Sequence, residues 1–315
     1  MSVHIRRPLP AALGLSNGEG ISDRIANGVL DRSPFPHLVQ PAILPAFTRA
    51  DVHSYWPEEA SFTAYSDGHD RSPGDRGRFG IYVMGSAAAA RCSTLDEDTR
   101  SFWRDFAAGP ARQAVLSLYR RFLPGLRARF GSRLPELELE TFAVLVNCYQ
   151  RLSVGVHADH PAFLFTAMIY LNNGAERSAG TTFYVPKLGD LSHDGLAYLA
   201  HQDFRPIKSL PFTDNTLVGF LRTGNSFHGV EPMAIGAPSE RATVNLHVRL
   251  TESCVERLYG EDVALLFRER KSGHCPWLLP SLDAWRQADW DDATPATEAE
   301  LRPLLNSFRY GEELL

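Results

Sequence analysis

From Arg241 to Leu250 the chain alternates polar and apolar residues without a break: Arg241, Thr243, Asn245, His247 and Arg249 against Ala242, Val244, Leu246, Val248 and Leu250. Side chains on an extended strand point alternately to opposite faces, so the segment reads as a strand with one aliphatic and one polar face. Burial of the aliphatic face against helices or a second layer leaves the polar face to line an interior pocket. A helix would scatter both classes around its circumference.

Other segments share this period. From Glu140 onward, Phe142, Val144, Val146 and Cys148 point one way and Ala143, Leu145, Asn147 and Tyr149 the other. Phe163–Leu171 is an apolar run of strand length ending in Asn172-Asn173-Gly174, a turn signal. Residues 181–185 and Thr216–Leu221 are further short strands, and Phe35 to Val39 opens the folded part as an extended segment. Helical spacing runs through 94–130, with Val115, Leu118, Tyr119 and Phe122 on one face. Thr94 with Glu97 fits a capping box, and Pro110 and Pro124 are expected to break the region into pieces.

Short strands with long loops, preceded by helices, predict a mainly β, double-sheet sandwich buttressed on one side by helices. Three parts are expected: a polar, irregular lead-in over 1–34, a main domain over 35–253, and a helical extension over 254–315 that packs on it. In the last part Thr297 and Glu300 form another capping box. Residues 66–80 and 187–214 read as long loops and candidate lids.

With 315 residues, 44% of them hydrophobic, the chain can bury a sizeable core. A net charge of −5 with no basic block argues against nucleic acid as a partner. No apolar run approaches the ~20 residues that span a bilayer, and the first fifteen residues lack the apolar stretch of a secretory signal. Cys92, Cys148, Cys254 and Cys275 are widely spaced, as expected of thiols in a reducing compartment. A soluble cytoplasmic protein is the expectation.

The chemistry concentrates in His157-Ala158-Asp159. Residues at i and i+2 of an extended segment share a face, so one short stretch offers an imidazole and a carboxylate together. A chain with eleven histidines produces such pairs by chance, and His201-Gln202-Asp203 is a second one. The first pair lies between two expected strands and can be held rigidly. The second lies among Pro206, Lys208 and Pro211, in expected loop. His228, after the strand Thr216–Leu221, supplies a third donor. Two histidines and one carboxylate with open positions are the ligand set of non-haem Fe(II) oxygenases. Arg241 offers a bidentate fork for a carboxylate, with the Thr243 hydroxyl beside it, which suits the far end of a dicarboxylic cosubstrate. Tyr149 and Tyr170 on neighbouring strands are candidates to add phenolic hydrogen bonds, or are ordinary core aromatics. His160 and Phe163 flank the metal pair, either facing substrate or simply packing.

In this order the motifs resemble the Fe(II)/2-oxoglutarate-dependent dioxygenases, in particular the prolyl-hydroxylase-like branch. Asn147-Cys148-Tyr149 ahead of His157-Ala158-Asp159, the Ile169-Tyr170-Leu171-Asn172 strand, Ala179-Gly180-Thr181-Thr182-Phe183, and His228-Gly229-Val230-Glu231-Pro232 followed by Arg241-Ala242-Thr243 carry the resemblance, over residues 140–250. It implies a double-stranded β-helix (jelly roll). His157, Asp159 and His228 would hold Fe(II), and Arg241, Thr243, Tyr149 and Tyr170 would bind 2-oxoglutarate. O2 would be consumed with release of succinate and CO2, and ascorbate would serve as optional reductant. Related halogenases carry a small residue in place of the carboxylate; Asp159 therefore favours hydroxylation of an unactivated C–H bond, with desaturation or ring formation open. The expected substrate is a small molecule, an amino acid derivative or a carrier-linked intermediate. Alternatives are a cupin-like metal enzyme that does not use 2-oxoglutarate, and a binding module that has lost catalysis.

Overall fold

The computed structural model describes residues 20–64, 78–85, 94–148, 154–171, 179–189, 191–192, 198–231, 241–269 and 278–312. The strands are β1 (Leu30–Asp31), β2 (His37–Gln40), β3 (Thr63–Ala64), β4 (Arg78–Met84), β5 (Leu139–Cys148), β6 (Val154–His157), β7 (Phe163–Leu171), β8 (Ala179–Pro186), β9 (Phe204–Pro211), β10 (Thr216–Leu221), β11 (His228–Val230) and β12 (Arg241–Leu250). The helices are α1 (Ile21–Asn27), α2 (Ala46–Ser54), α3 (Glu97–Phe106), α4 (Arg112–Phe130), α5 (Glu252–Tyr259), α6 (Glu261–Glu269), α7 (Leu279–Asp283) and α8 (Glu298–Glu312).

Among the described residues the strands form two antiparallel sheets. The larger has eight strands in the order β1-β2-β10-β7-β12-β5-β4-β3, and the smaller has four in the order β6-β11-β8-β9. From β5 onward the chain passes back and forth between the sheets, so residues distant in sequence face one another across the space between them.

The alternation of β12 sets which side of the large sheet is which. Val244, Leu246, Val248 and Leu250 are fully buried in the main core with Leu118, Phe122 and Leu126 of α4. At roughly 2 kcal/mol for each such side chain buried, this face holds the register. A slip by one residue would push Arg241, Thr243, Asn245 and His247 into the helices. Those four instead line the cavity between the sheets. On β5, Ala143 and Leu145 join the helical side, while Phe142, Val144, Val146 and Cys148 form a second apolar cluster on the cavity side.

Several expectations need correction. Residues 20–34 are ordered: α1 buries Ile21 and Ile25 in the main core, so the lead-in is not irregular there, and its polar residues occupy the outer side of that helix. The first long helix is capped by Asp96, whose carboxylate accepts from the Thr99 amide at 3.0 Å, rather than by Thr94. Pro110 does not break the helical region, because residues Ala107–Ala111 form a π-helical turn that joins α3 to α4. A π turn skips a hydrogen bond that proline cannot donate. Pro124 lies inside α4, which continues through it. The long-loop reading of 187–214 fails over β9. Pro206 and Pro211 argue against an interior strand, but β9 is the edge of the small sheet, where proline is tolerated. Residues 78–80 likewise begin β4, while 66–77 lie outside the described residues.

The C-terminal helices pack on the same core, through Val263, Leu282, Leu304 and Phe308. Thr297 and Glu300 make the expected capping box: the Glu300 carboxylate accepts from the Thr297 amide at 2.8 Å, and the Thr297 hydroxyl accepts from the Glu300 amide at 3.2 Å. No helix of the described residues is long and apolar enough to cross a membrane.

Candidate metal centre

The pairing of β6 with β11 sets His157 directly opposite His228. Their rings lie 4.2 Å apart between centroids. Each ring is oriented by its own backbone: Nδ1 of His157 lies 2.9 Å from the Gly155 carbonyl oxygen, and Nδ1 of His228 lies 3.0 Å from that of Ser226. A carbonyl oxygen only accepts, so both Nδ1 atoms carry hydrogen and both Nε2 atoms present lone pairs. Asp159 follows β6 by two residues and brings Oδ1 to 3.8 Å from Nε2 of His157 and 3.7 Å from Nε2 of His228. The Tyr198 ring supports His157 at 5.1 Å, and the Phe220 ring supports His228 at 4.5 Å.

Three acceptors thus converge within 4.8 Å in a buried setting. The two sides that meet at Asp159 Oδ1 are 3.8 and 3.7 Å long, and an equilateral triangle of that side has its centre about 2.2 Å from each corner, the length of a bond from a metal ion to nitrogen or oxygen. Three lone pairs facing one another repel, and a cation between them relieves the repulsion. Burial pushes the Asp159 carboxyl up, but positive charge on the far side of the triangle, whether on His228 and His157 or on a cation between them, together with the Thr166 hydroxyl, more than offsets it and holds the group below the usual carboxylate range. The donor set therefore fits a divalent transition metal.

The neighbourhood of Asp159 contains residues that the sequence reading did not single out. Its Oδ2 accepts the Thr166 hydroxyl at 2.7 Å, and Thr166 Oγ1 lies 3.3 Å from Nδ1 of His247. Behind it, the fully buried Arg222 donates from Nε to the Asp159 carbonyl oxygen and from Nη1 to that of Thr223. Thr166 and His247 could have been found by parity, since they share cavity-facing sides with Met168 and Asn245. Arg222 carries no such signal: a charged residue following an apolar strand looks like a solvated strand end.

A cavity of about 70 Å³ runs from the triad along the polar face of β12, with Arg241, Thr243, Asn245 and His247 on one wall and Val146, Cys148, Val154 and Val230 on others. Arg241 is 6% exposed, and its Nε and Nη2 have no hydrogen-bond partner among the described residues. A buried cation without a counter-ion is costly, and this one faces the cavity that holds the triad. Asn245 is equally buried, with an unpartnered Oδ1. Tyr170 is also present, but its hydroxyl is engaged: it donates to Thr181 Oγ1 at 2.7 Å and accepts from the Thr181 amide at 2.9 Å. It offers Arg241 a ring face rather than offering a ligand a phenol. Tyr149 lies outside the described residues.

The remaining expected site residues are not among those that line the cavity. His160 accepts the Ala162 amide on Nδ1 at 3.0 Å, and Phe163 packs edge-on against His247. His201 and Asp203 form a short turn ahead of β9 and are not among the cavity residues. The free thiols Cys148 and Cys254 are buried.

No family model matches the chain, and no curated protein matches it. Among solved structures it is similar to a Pseudomonas putida prolyl-4-hydroxylase, with 16% identity over 73% of this chain and 96% of that one and a TM-score of 0.42. It is also similar to a Trichoplax adhaerens prolyl hydroxylase solved with a hypoxia inducible factor peptide fragment, with 13% identity, coverage of 73% and 87%, and a TM-score of 0.43. A third is HygX of Streptomyces hygroscopicus, solved with nickel and 2-oxoglutarate, with 11% identity, coverage of 68% and 83%, and a TM-score of 0.38. Identity at this level carries no residue roles from one chain to another.

Proposed function

We propose that this chain is an Fe(II)- and 2-oxoglutarate-dependent oxygenase of the prolyl-hydroxylase-like kind, built on a double-stranded β-helix and hydroxylating an unactivated C–H bond of a small molecule in the cytoplasm. One observation carries the reading. A two-histidine, one-carboxylate donor set and an orphaned guanidinium share a single buried cavity. A metal alone accounts for the donors, but not for a buried guanidinium whose Nε and Nη2 have no hydrogen-bond partner among the described residues; a metal with a dicarboxylic cosubstrate accounts for both.

His157, Asp159 and His228 would hold the metal on one side and leave its other side open. Bound there, iron with 2-oxoglutarate and O2 supplies an oxidant that inserts one oxygen atom into a C–H bond; the other goes into succinate as CO2 is lost. Arg241, with the Thr243 hydroxyl beside it, would take the far carboxylate as a fork. The apolar wall of Val146, Val154 and Val230 would lower the polarity around that pairing and strengthen it. Asp159 occupies the position that a halide would need, which favours hydroxylation. The substrate proposed is an amino acid derivative, a carrier-linked intermediate or another small metabolite. A cupin-like metal enzyme without 2-oxoglutarate would leave Arg241 buried and unpaired, so it is the weaker reading.

Purified protein given Fe(II), ascorbate and 2-oxoglutarate is expected to form succinate slowly without substrate, and the Asp159→Ala variant to form none. N-oxalylglycine with Mn(II) is expected to raise the melting temperature. Absence of both succinate and the thermal shift overturns the proposal.

A further inference from the structure

Asp159 has two carboxylate oxygens in different surroundings. Oδ1 faces the Nε2 atoms of both histidines, while Oδ2 accepts the Thr166 hydroxyl at 2.7 Å. A hydroxyl has one hydrogen. Once it is donated to the carboxylate, the Thr166 oxygen can only accept, so Nδ1 of His247, 3.3 Å away, carries its hydrogen toward Thr166. The His247 ring is held in that line by Phe142, stacked at 4.8 Å, and by the edge of Phe163 at 5.3 Å. Thr166 and His247 are register partners on β7 and β12, and both are more than nine-tenths buried. The grip of Arg222 on the Asp159 carbonyl oxygen fixes the backbone, so the carboxylate cannot drift as a unit.

We infer that Thr166, oriented by His247, is a positioning residue that keeps Asp159 a one-oxygen ligand. The inference rests on the functional reading above and concerns how that site keeps room for its reactants. A six-coordinate ion held by two imidazoles and one carboxylate oxygen has three positions left. A chelating 2-oxo acid takes two of them, and one remains for dioxygen. Were Asp159 to close onto the metal through both oxygens, that last position would be gone. The bond to Thr166 opposes this closure, because Oδ2 must give up a charge-assisted hydrogen bond to reach the metal.

The test uses the whole protein loaded anaerobically with Fe(II) and 2-oxoglutarate, and adds nitric oxide as a diatomic stand-in for dioxygen. The readout is the half-integer-spin EPR signal of the iron nitrosyl, titrated against nitric oxide. Wild type and Thr166→Ser, which keeps the hydroxyl, are expected to bind nitric oxide alike. Thr166→Val, nearly the same shape without the hydroxyl, is expected to bind it roughly tenfold or more weakly. Equal binding by the valine variant overturns the inference, as does equal loss in the serine variant, which would point to packing instead. Should the valine variant fail to fold, His247→Phe keeps the ring between its aromatic neighbours and removes the Nδ1–H. Weakened nitric oxide binding there supports the inference, and unchanged binding overturns it. A wild-type protein that takes up neither iron nor 2-oxoglutarate fails earlier, at the functional reading itself.

Discussion

The guanidinium carbon of Arg241 stands 5.5 Å from the ring centroid of Tyr170 and 5.2 Å from that of Phe212. Two aromatic faces thus hold the charge at the end of the cavity, at up to about 2 kcal/mol for each desolvated contact. That offsets only part of a desolvation cost of several kcal/mol. Replacement by leucine, Arg241→Leu, is expected to weaken N-oxalylglycine binding to the Mn(II)-loaded protein by about 30-fold or more, close to 2 kcal/mol. Mn(II) affinity should stay within about twofold. Calorimetric titration of each ligand in turn checks this, and unchanged N-oxalylglycine affinity would remove Arg241 from the cosubstrate's reach.

Tyr170 should behave differently under mutation. Its hydroxyl makes both of its hydrogen bonds to Thr181, and Tyr170→Phe would strand a buried amide there, at about 1–3 kcal/mol. The expected result is a lower melting temperature with N-oxalylglycine affinity retained in the folded protein. A selective loss of that affinity, at unchanged stability, would put the phenol in contact with the cosubstrate after all.

Gly229, immediately after the candidate ligand His228, sits where β11 pairs with β6. A Cβ there would meet the Val154 carbonyl oxygen at 2.7 Å and that of Gly155 at 3.0 Å. Backbone cannot step aside as a side-chain end can, so Gly229→Ala must spread the two strands that set His228 opposite His157. Mn(II) affinity is expected to fall about 10-fold or more, with the melting temperature of the metal-free protein reduced by a smaller relative margin. Metal affinity equal to wild type would show that the pairing has slack.

How legible all this was depended on how strongly local pattern and tertiary surroundings agree. β12 could be delimited to the residue because its aliphatic face packs on helices and its polar face lines the cavity, so the period of two runs its full length; β7 and β10 could be delimited as short apolar runs, nearly every residue of which is buried. β9 could not: it is an edge strand with exposed Pro206 and Ile207, and an edge imposes little on composition. His157 and Asp159 were legible as neighbours on one face, and His228 as a histidine at a strand start. Asn245 and His247 lay on the same polar face as Arg241 and Thr243 but carry no motif of their own. Thr166, seven residues after Asp159, was legible only through its parity with Met168, and Arg222 acts on the Asp159 backbone carbonyl through a long-range contact that leaves no trace in local spacing.

The C-terminal helix offers a test of how the appendage is fastened. The Glu300 carboxylate accepts from Arg127 Nε at 2.7 Å and Nη2 at 3.1 Å, and from the Thr297 amide at 2.8 Å. The Arg127 guanidinium is the largest influence on the Glu300 carboxyl, and with the Thr297 donors it outweighs burial and holds the group at about 2, below its ordinary 4.5. A carboxyl depressed in the folded state binds its proton more readily when unfolded. Its contribution is therefore complete above pH 4.5 and is lost as the pH falls toward about 2. Glu300→Gln cannot titrate and should cost about 1 kcal/mol at neutral pH, a modest figure because the site is only partly shielded from water. The gap in melting temperature between wild type and this variant should accordingly be widest at pH 7, narrow below 4.5 and close near the acid end. A gap that stayed constant down to pH 3 would mean that the charge on Glu300 does not fasten the helix, and that its apolar contacts through Leu304 and Phe308 suffice.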